Sequence, residues 1–230
     1  MNFFSASSPS NAAARVYLQP DFVQASLVKG NFRQICALPK YMDLNEWYAV
    51  VLLFFILVHL TLVIKHRLAV NILDFFYYTN LFYESVAEFC TVHNCPNMSA
   101  GANIEYSWTD SKGKSVKLPA PQYVDYFMTW TQSILNDQSV FPTKAGIEFP
   151  PNFLVTLKAI YKHIMRVFVH MYSAHVHQIQ VLNLQSHLNT LFAHLLCFGR
   201  EFDLLERKDL VSVQDFVSAL DALYGLNLGK

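Results

Sequence analysis

Two pairs of metal-binding side chains stand out in the sequence by type and spacing. Cys90 and Cys95 frame four residues in EFCTVHNCPNM, and His170 and His175 frame four residues in RVFVHMYSAH. Two thiolates and two imidazoles suit a closed tetrahedral zinc site, which leaves no coordination position for a catalytic water. Cysteine and histidine are also common in apolar interiors, so a buried cluster without metal is the alternative.

Helical geometry sets a condition on this site. Five residues of an α-helix turn by about 500°, which leaves the second histidine about 140° past the first. His170 and His175 can therefore converge on one ion only if the second lies at a helix end or bend. Cysteines in a loop that comes after a helix can adapt to that arrangement.

No catalytic set competes with the metal pairs. The sequence contains no glycine-rich phosphate loop, no GxSxG and no HExxH motif. Its 17 basic and 17 acidic side chains balance, whereas a nucleic-acid-binding chain usually has a basic excess. Four cysteines do not make a dense disulfide framework, which favours a reducing compartment. Residues 1–16 lack the features of a signal peptide and are expected to form a flexible arm.

Hydrophobic periodicity predicts a mainly α fold, a helical bundle with one hairpin, formed as a single domain over residues 17–223. Helical spacing covers residues 68–90, 122–136, 153–181, 184–202 and 212–223. Residues 104–118 instead alternate aromatic and polar side chains around the turn residues Asp110–Gly113, which predicts a β-hairpin.

One stretch does not fit this scheme. Tyr48–Arg67 reads YAVVLLFFILVHLTLVIKHR, close to the ~20 apolar residues that cross a bilayer. A spanning helix would put residues 1–47 and 68–230 on opposite sides of the membrane and split one core. A membrane-anchored protein is therefore the less favoured alternative.

Six strings occur in one order over about residues 20–212 and together carry a resemblance. They are LPKYMDLNEW, EFCTVHNCPNMSAG, APQYVDYFMTW, FPTKAGIEFPPNF, HLNTLFAH and REFDLLERKDL. This set resembles the Mob family of kinase coactivators, and the lead-in YLQPDFVQASLVKG is similar to the fungal branch that partners NDR-type kinases. The resemblance implies a Mob-type helical bundle with structural zinc held by Cys90, Cys95, His170 and His175.

The resemblance also implies a non-catalytic function in the cytoplasm, in the nucleus or at the cell cortex. Mob proteins bind the basic N-terminal regulatory segment of NDR/LATS-type Ser/Thr kinases of the AGC class. The kinase-binding positions fall here on Asp43, Glu46, Trp47, Asp74 and His187. Simpler roles compete: Glu46 suits a capping box, Trp47 suits core packing, and His187 suits a packed, hydrogen-bonded histidine.

A second family surface binds phosphorylated peptides through basic residues, and its positions here are Lys162, His163 and Arg166. Three and four residues apart on a helix, they can share one face. The alternative function is therefore a scaffold adaptor that binds a phosphorylated upstream kinase or scaffold. His163 replaces a strongly basic residue, and Lys162 also suits a solvated helix face.

Tyr48–Arg67 separates NEW from LAVNILDFF, which run together in similar sequences. As a helix, the 20 extra residues would rotate the chain before the run by about 200° relative to the chain after it. We therefore expect a loop to absorb the run. The codons for Trp47–Ala49 and for His66–Arg67 can match the two splice-site consensus sequences, and removing the stretch restores the reading frame. Our hypothesis is that Tyr48–Arg67 is a retained or mis-annotated intron.

Overall fold

The structure of the chain is a computed structural model that describes residues 16–27, 32, 49–101, 104–142 and 147–224; the side chains of residues 49–63 and of Arg207 lie outside that description. The helices are α1 (Pro20–Gln24), α2 (Ala49–Val86), α3 (Ala120–Asn136), α4 (Phe153–Ala174), α5 (Val176–Val181), α6 (Gln185–Glu201) and α7 (Gln214–Tyr224). The strands are β1 (Ser107–Thr109) and β2 (Ser115–Lys117), and a 3-10 helix covers Arg207–Val213. The mainly helical fold with one hairpin is confirmed.

Helix α4 lies at the centre of the bundle. Most side chains of its second half are buried, and Ile164, Val167 and Phe168 are fully shielded from solvent. Helix α2 packs along it through the ring of Phe75, whose centroid lies 5.8 Å from that of Tyr161. Apolar side chains on most faces of this half indicate a core position. α4 also carries His170, one of the two candidate metal-ligating histidines.

The expectation that a loop absorbs the apolar run is wrong, because α2 extends without a break from Ala49 to Val86. The physical reason is that α2 is already nucleated by its buried C-terminal half, so each added turn costs little. A helix also satisfies every backbone donor and acceptor of the run internally. The 20 extra helical residues were expected to rotate the chain before the run by about 200°. Residues 41–48, to which this applies, lie outside the described residues.

The C-terminal end of the run makes specific contacts. Ile64 packs against the core, the His66 ring lies 5.0 Å from that of Phe149, and the Arg67 guanidinium lies 5.8 Å from the centroid of Phe202. Among the residues whose side chains are described, no helix combines the length and hydropathy needed to cross a membrane. The side chains of residues 49–63 are not part of that set.

The hairpin is antiparallel, with Trp108 opposite Val116. Its turn is closed by the Asp110 carboxylate, which accepts hydrogen bonds from the backbone N–H groups of Lys112 and Lys114 at 2.9 and 2.8 Å. Gly113 has φ +77°, a left-handed conformation that glycine adopts without a Cβ clash. The hairpin predicted over 104–118 is thus confirmed, and it lies beside the loop that carries both cysteines.

Candidate metal centre and docking groove

The two histidines are brought together by a break in the helix. α4 ends at Ala174 and α5 starts at Val176, while His175 between them has φ −126° and ψ 16°. The backbone N–H of His175 still donates to the carbonyl of Met171 at 2.9 Å. The bend turns the imidazole of His175 back toward His170, and the ring centroids lie 5.2 Å apart. This meets the geometric condition derived from the spacing.

The two cysteines lie in the turn that comes after α2. The backbone N–H of Cys90 donates to the carbonyls of Val86 and Ala87, both at 3.1 Å, so Cys90 caps the end of the helix. Cys95 donates its N–H to Thr91 at 2.8 Å, and its carbonyl accepts the N–H of Ala120 at the start of α3. Backbone hydrogen bonds therefore hold the backbone of both cysteines in place.

The four side chains form one buried cluster. Their ligand atoms, two sulfurs and two ring nitrogens, all lie within 4.8 Å of one another. Cys90 Sγ lies 3.5 Å from His170 Nε2, and Cys95 Sγ lies 3.6 Å from His175 Nε2. Each residue is at most 6% exposed. The arrangement can hold one metal ion, and it links the end of α2 to the bend between α4 and α5.

A hydrogen bond to a residue outside the cluster orients the ring of His170. His170 Nδ1 lies 2.9 Å from the carbonyl oxygen of Ser99, so Nδ1 must be the protonated donor. Nε2 is then left with its lone pair directed at the thiols. Ligating histidines in zinc sites usually make this kind of hydrogen bond through the second nitrogen.

The two thiols differ in acidity. The hydrogen bond with Cys90 lowers the pKa of the Cys95 thiol, and hydrogen bonds with His170 and His175 act in the same direction. The same thiol–thiol hydrogen bond, together with burial, raises the pKa of Cys90. One thiolate is therefore favoured before any metal binds. A set of two soft sulfurs and two imidazoles fits tetrahedral zinc better than magnesium or calcium, which prefer oxygen ligands.

A groove of about 500 Å³ lies between α2, α6 and the N-terminal segment. It is lined by Leu27, Phe32, Tyr78, Phe82, His187, Thr190, Leu191 and His194. His187 is exposed, so the structure places it on a concave surface rather than in the core. Burial lowers the pKa of His194, and the nearby Asp74 carboxylate opposes that shift.

Asp74, the other predicted partner-facing residue that is described, is exposed on α2. It lines a second groove, of about 850 Å³, between α2 and α3. Tyr78 lies one helical turn after it, so the carboxylate and the phenol share a face. Asp43, Glu46 and Trp47 lie outside the described residues.

The three residues of the predicted phosphopeptide surface do not form an open basic patch. His163 is enclosed by aromatic rings at centroid distances of 5.0 to 5.6 Å, from Trp108, Tyr123, Phe127 and Trp130. Burial, and then the charges of Arg166 and Lys162, lower the pKa of His163 to about 3. The ring is therefore uncharged at neutral pH.

Arg166 is also committed to internal contacts. Its Nη1 donates to Tyr123 OH at 2.7 Å, and its guanidinium lies 4.8 Å from the centroid of the Tyr106 ring. Because Tyr123 OH accepts that bond, its own proton can go to His163 Nδ1, 2.8 Å away. Lys162, the third member, is half-buried.

Comparison with known proteins decides the family. The model of the Mob1/phocein family matches residues 64–213. The Schizosaccharomyces pombe protein named "Maintenance of ploidy protein mob2" is 46% identical over 214 residues, which cover 93% of this chain and 80% of that protein. The chain belongs to the Mob1/phocein family.

Two more Mob relatives are similar in sequence to this chain over most of its length. The Candida albicans protein named "CBK1 kinase activator protein MOB2" is 40% identical over 204 residues, or 89% of this chain; the match spans only 59% of the longer Candida protein. The Arabidopsis thaliana protein named "MOB kinase activator-like 1B" is 38% identical over 204 residues, which cover 88% of this chain and 86% of that protein.

The Mob family match covers both metal-ligand pairs and begins inside the apolar run, at Ile64. The predicted residues Cys90, Cys95, His170 and His175 are brought together by the fold. Sequence reasoning missed the groove residues Phe32, Thr190 and His194. The string HLNTLFAH, which spans Thr190 and His194, could have indicated that this part of α6 is a binding surface. It could not indicate that Leu27 and Phe32 of the N-terminal segment form the opposite wall.

Proposed function

We propose that this chain is a non-catalytic coactivator that binds the basic N-terminal regulatory segment of an NDR/LATS-type Ser/Thr kinase. The observation that carries the proposal is the relationship to the Candida protein named as an activator of the CBK1 kinase. We place this activity in the cytoplasm, with access to the nucleus and the cell cortex.

The groove between α2 and α6 supports this proposal. Apolar side chains that include Phe32, Phe82 and Leu191 line much of it. Asp74 lines the neighbouring groove, but it lies one turn before Tyr78 on α2 and its charge raises the pKa of His194 in this one. An amphipathic kinase helix would insert apolar side chains into the groove and pair an arginine or lysine with Asp74. Asp43, Glu46 and Trp47 lie outside the described residues and remain predicted contacts of the kinase.

We propose zinc as the metal of the Cys90, Cys95, His170 and His175 cluster, with a structural role. All four ligand positions are supplied by protein, so bound zinc would stabilise the fold without activating water. The chain's own residues would hold the ion and exclude solvent, and the groove would depend on it only through the stability of α2 and α4.

The phosphopeptide adaptor function has weaker support. Lys162 is partly exposed and could contact a phosphate group. His163 is uncharged, however, and Arg166 already donates a hydrogen bond to Tyr123 OH. A phosphate group needs charged donors directed outward. We therefore keep phosphopeptide binding as an alternative prediction.

The kinase-binding proposal can be tested with purified chain and a fluorescent peptide that contains the basic N-terminal segment of an NDR-type kinase. We expect saturable binding, measured by fluorescence polarisation. Tyr78→Ala should weaken it about tenfold or more, because exposed aromatic side chains at the centre of a groove often act as anchors.

Tyr126→Ala is the matched control. Tyr126 is 49% exposed and Tyr78 is 46% exposed, but Tyr126 lies on α3 outside the groove. Its replacement should leave the affinity within about twofold of wild type. Absence of binding by the wild-type chain, or equal losses in both variants, would contradict the proposed function or its location.

A further inference from the structure

One hydroxyl group on α6, that of Thr190, makes two contacts with the N-terminal wall of the groove. Thr190 Oγ1 accepts a hydrogen bond from the backbone N–H of Leu27 at 3.0 Å and lies 3.1 Å from Ser26 Oγ. The same oxygen lies 2.7 Å from the carbonyl oxygen of Ser186, one turn earlier in α6. Leu27 and Thr190 both line the groove, on opposite sides of this contact.

The hydrogen-bond directions are set by the chemistry of the groups. A hydroxyl has one proton and two lone pairs. The Ser186 carbonyl can only accept, so the Thr190 proton goes to it. Both lone pairs then face the N-terminal segment, where Leu27 N–H fills one and the hydroxyl proton of Ser26 fills the other. Thr190 is thus fully satisfied, and any change to its hydroxyl affects two contacts across the interface.

Asn189, the residue before Thr190, holds the N-terminal segment from the core side. Asn189 is fully buried, and its Nδ2 donates to the carbonyls of Phe22 and Ala25 at 2.6 and 3.0 Å. Its Oδ1 accepts the Tyr172 hydroxyl proton at 3.0 Å. Asn189 therefore anchors α1 within the core, whereas Thr190 acts one residue later, where the segment reaches the solvent.

We infer that Thr190 is a positioning residue for the groove: its hydroxyl latches Ser26 and Leu27 onto α6 and so completes the N-terminal wall. This inference rests on the proposed function, because it assigns Thr190 a role in binding the kinase segment. Leu27 is 59% exposed, so few packing contacts hold it in place without the latch.

The latched fraction is the fraction of molecules in which Ser26 and Leu27 are hydrogen-bonded to Thr190 and the N-terminal wall of the groove is in place. A partner that needs the wall binds only the latched fraction, so its apparent affinity falls in proportion as that fraction falls. Loss of the Thr190 hydroxyl removes the contacts to Leu27 and Ser26 together, which lowers the latching equilibrium constant about fivefold when each contact is at the low end of the range for neutral hydrogen bonds. Loss of the Thr190 hydroxyl should therefore weaken binding without unfolding the domain.

The test uses Thr190→Val, which keeps the shape but removes the hydroxyl, and Thr190→Ser, which restores the hydroxyl without the methyl group. Thr156→Val is the matched control, since Thr156 also bonds to a carbonyl four residues earlier but lies on α4 outside the groove. Amide hydrogen exchange is measured in the free chain, and affinity is measured with the labelled kinase peptide.

Thr190→Val should speed exchange at Leu27 and weaken peptide binding about fivefold, while Thr190→Ser and Thr156→Val match wild type in both measurements. Unchanged exchange in Thr190→Val would overturn the latch. Faster exchange with unchanged affinity would overturn its role in binding. If wild type does not bind the peptide, the proposed function and the binding role both fail, and exchange in the free chain still decides the latch.

Discussion

His170 donates its Nδ1 proton to the backbone carbonyl of Ser99 at 2.9 Å. This bond sets the tautomer of the ring, so Nε2 reaches the cluster as a lone-pair donor. Ser99 belongs to the segment that leads into the hairpin, where it pairs with Glu105. The candidate metal centre is thereby connected to three parts of the fold: the end of α2, the bend after α4 and the approach to the hairpin.

We predict about one zinc ion per chain, measured by elemental analysis of protein purified without added metal. His175→Ala or Cys95→Ser should lose the metal and lower the melting temperature, because the remaining buried polar groups lose their common partner. The expected effect is on stability and only indirectly on peptide binding.

Two variants control for that experiment. Cys197→Ser changes a buried cysteine outside the cluster, and His177→Ala changes an exposed histidine two residues from a proposed ligand. Both should keep the full zinc content. A wild-type chain without zinc, or equal zinc in His175→Ala and wild type, would contradict the assignment of the site.

His163 should make stability depend on pH. Its pKa is about 3 in the folded chain and about 6.5 when unfolded, so between these values the unfolded state binds more protons. The contribution of His163 to the free energy of unfolding is therefore fully present above about pH 6.5 and is lost progressively as the pH falls toward 3. Between pH 7.5 and 5.5 it should reduce the free energy of unfolding by about 1.4 kcal/mol.

The measurement is urea unfolding of wild type and His163→Phe at both pH values. The variant keeps the aromatic contacts to Trp108 and Phe127 and removes the titrating ring. His194, whose pKa burial also lowers, contributes equally to both proteins and cancels in the difference. An identical pH dependence in the two proteins would show that His163 titrates normally.

The ion pair between Arg200 and Asp221 should be important for stability. Arg200 Nη2 lies 3.0 Å from Asp221 Oδ2, a second contact joins Nη1 to Oδ1, and the side chains are only 21% and 8% exposed. Asp221→Ala leaves a guanidinium without its carboxylate in a largely buried place, and we expect it to cost about 3 kcal/mol. Thermal and urea unfolding would measure the loss.

The exposed pair between Lys158 and Asp203 is the comparison. Its side chains are 49% and 82% exposed, so Lys158→Ala should change stability by less than about 1 kcal/mol. Losses of similar size in the two variants would contradict the view that burial decides the strength of these pairs.

Deleting Tyr48–Arg67 should give a chain that folds. With 20 residues removed, Leu44 would extend the helix into the place of Ile64, which packs against the core, and Trp47 would take the place of Arg67. The apolar character of this partly buried position is thus kept. We expect the shortened chain to bind the kinase peptide at least as well as the full one.

The matching measurement on the gene is amplification of transcripts across codons 47 to 68. The retained-intron hypothesis predicts that the main product lacks about 60 nucleotides, the coding length of the run. Dominance of the longer product, or failure of the shortened chain to fold, would argue that the run belongs to the working protein.

The sequence allowed some features to be predicted because local rules decide them. The break at His175 is required by helical geometry and ligand spacing, and the hairpin is indicated by alternation around Asp110–Gly113. The neutral state of His163 was not predictable, since it depends on Trp108 and other rings that come from distant segments. The course of the apolar run was predicted wrongly, because a helix extended from a nucleated end needs no tertiary contacts of its own.

The bend at His175 makes the chain intolerant of length change at this place. One residue inserted between His170 and His175 would rotate the second imidazole by about 100° and shift it by about 1.5 Å along the axis. The twenty residues beyond Trp47, by contrast, enter at the N-terminal end of α2, before the packed residues 68–86. Insertions and deletions in this lineage should therefore collect at helix ends and avoid the intervals inside each ligand pair.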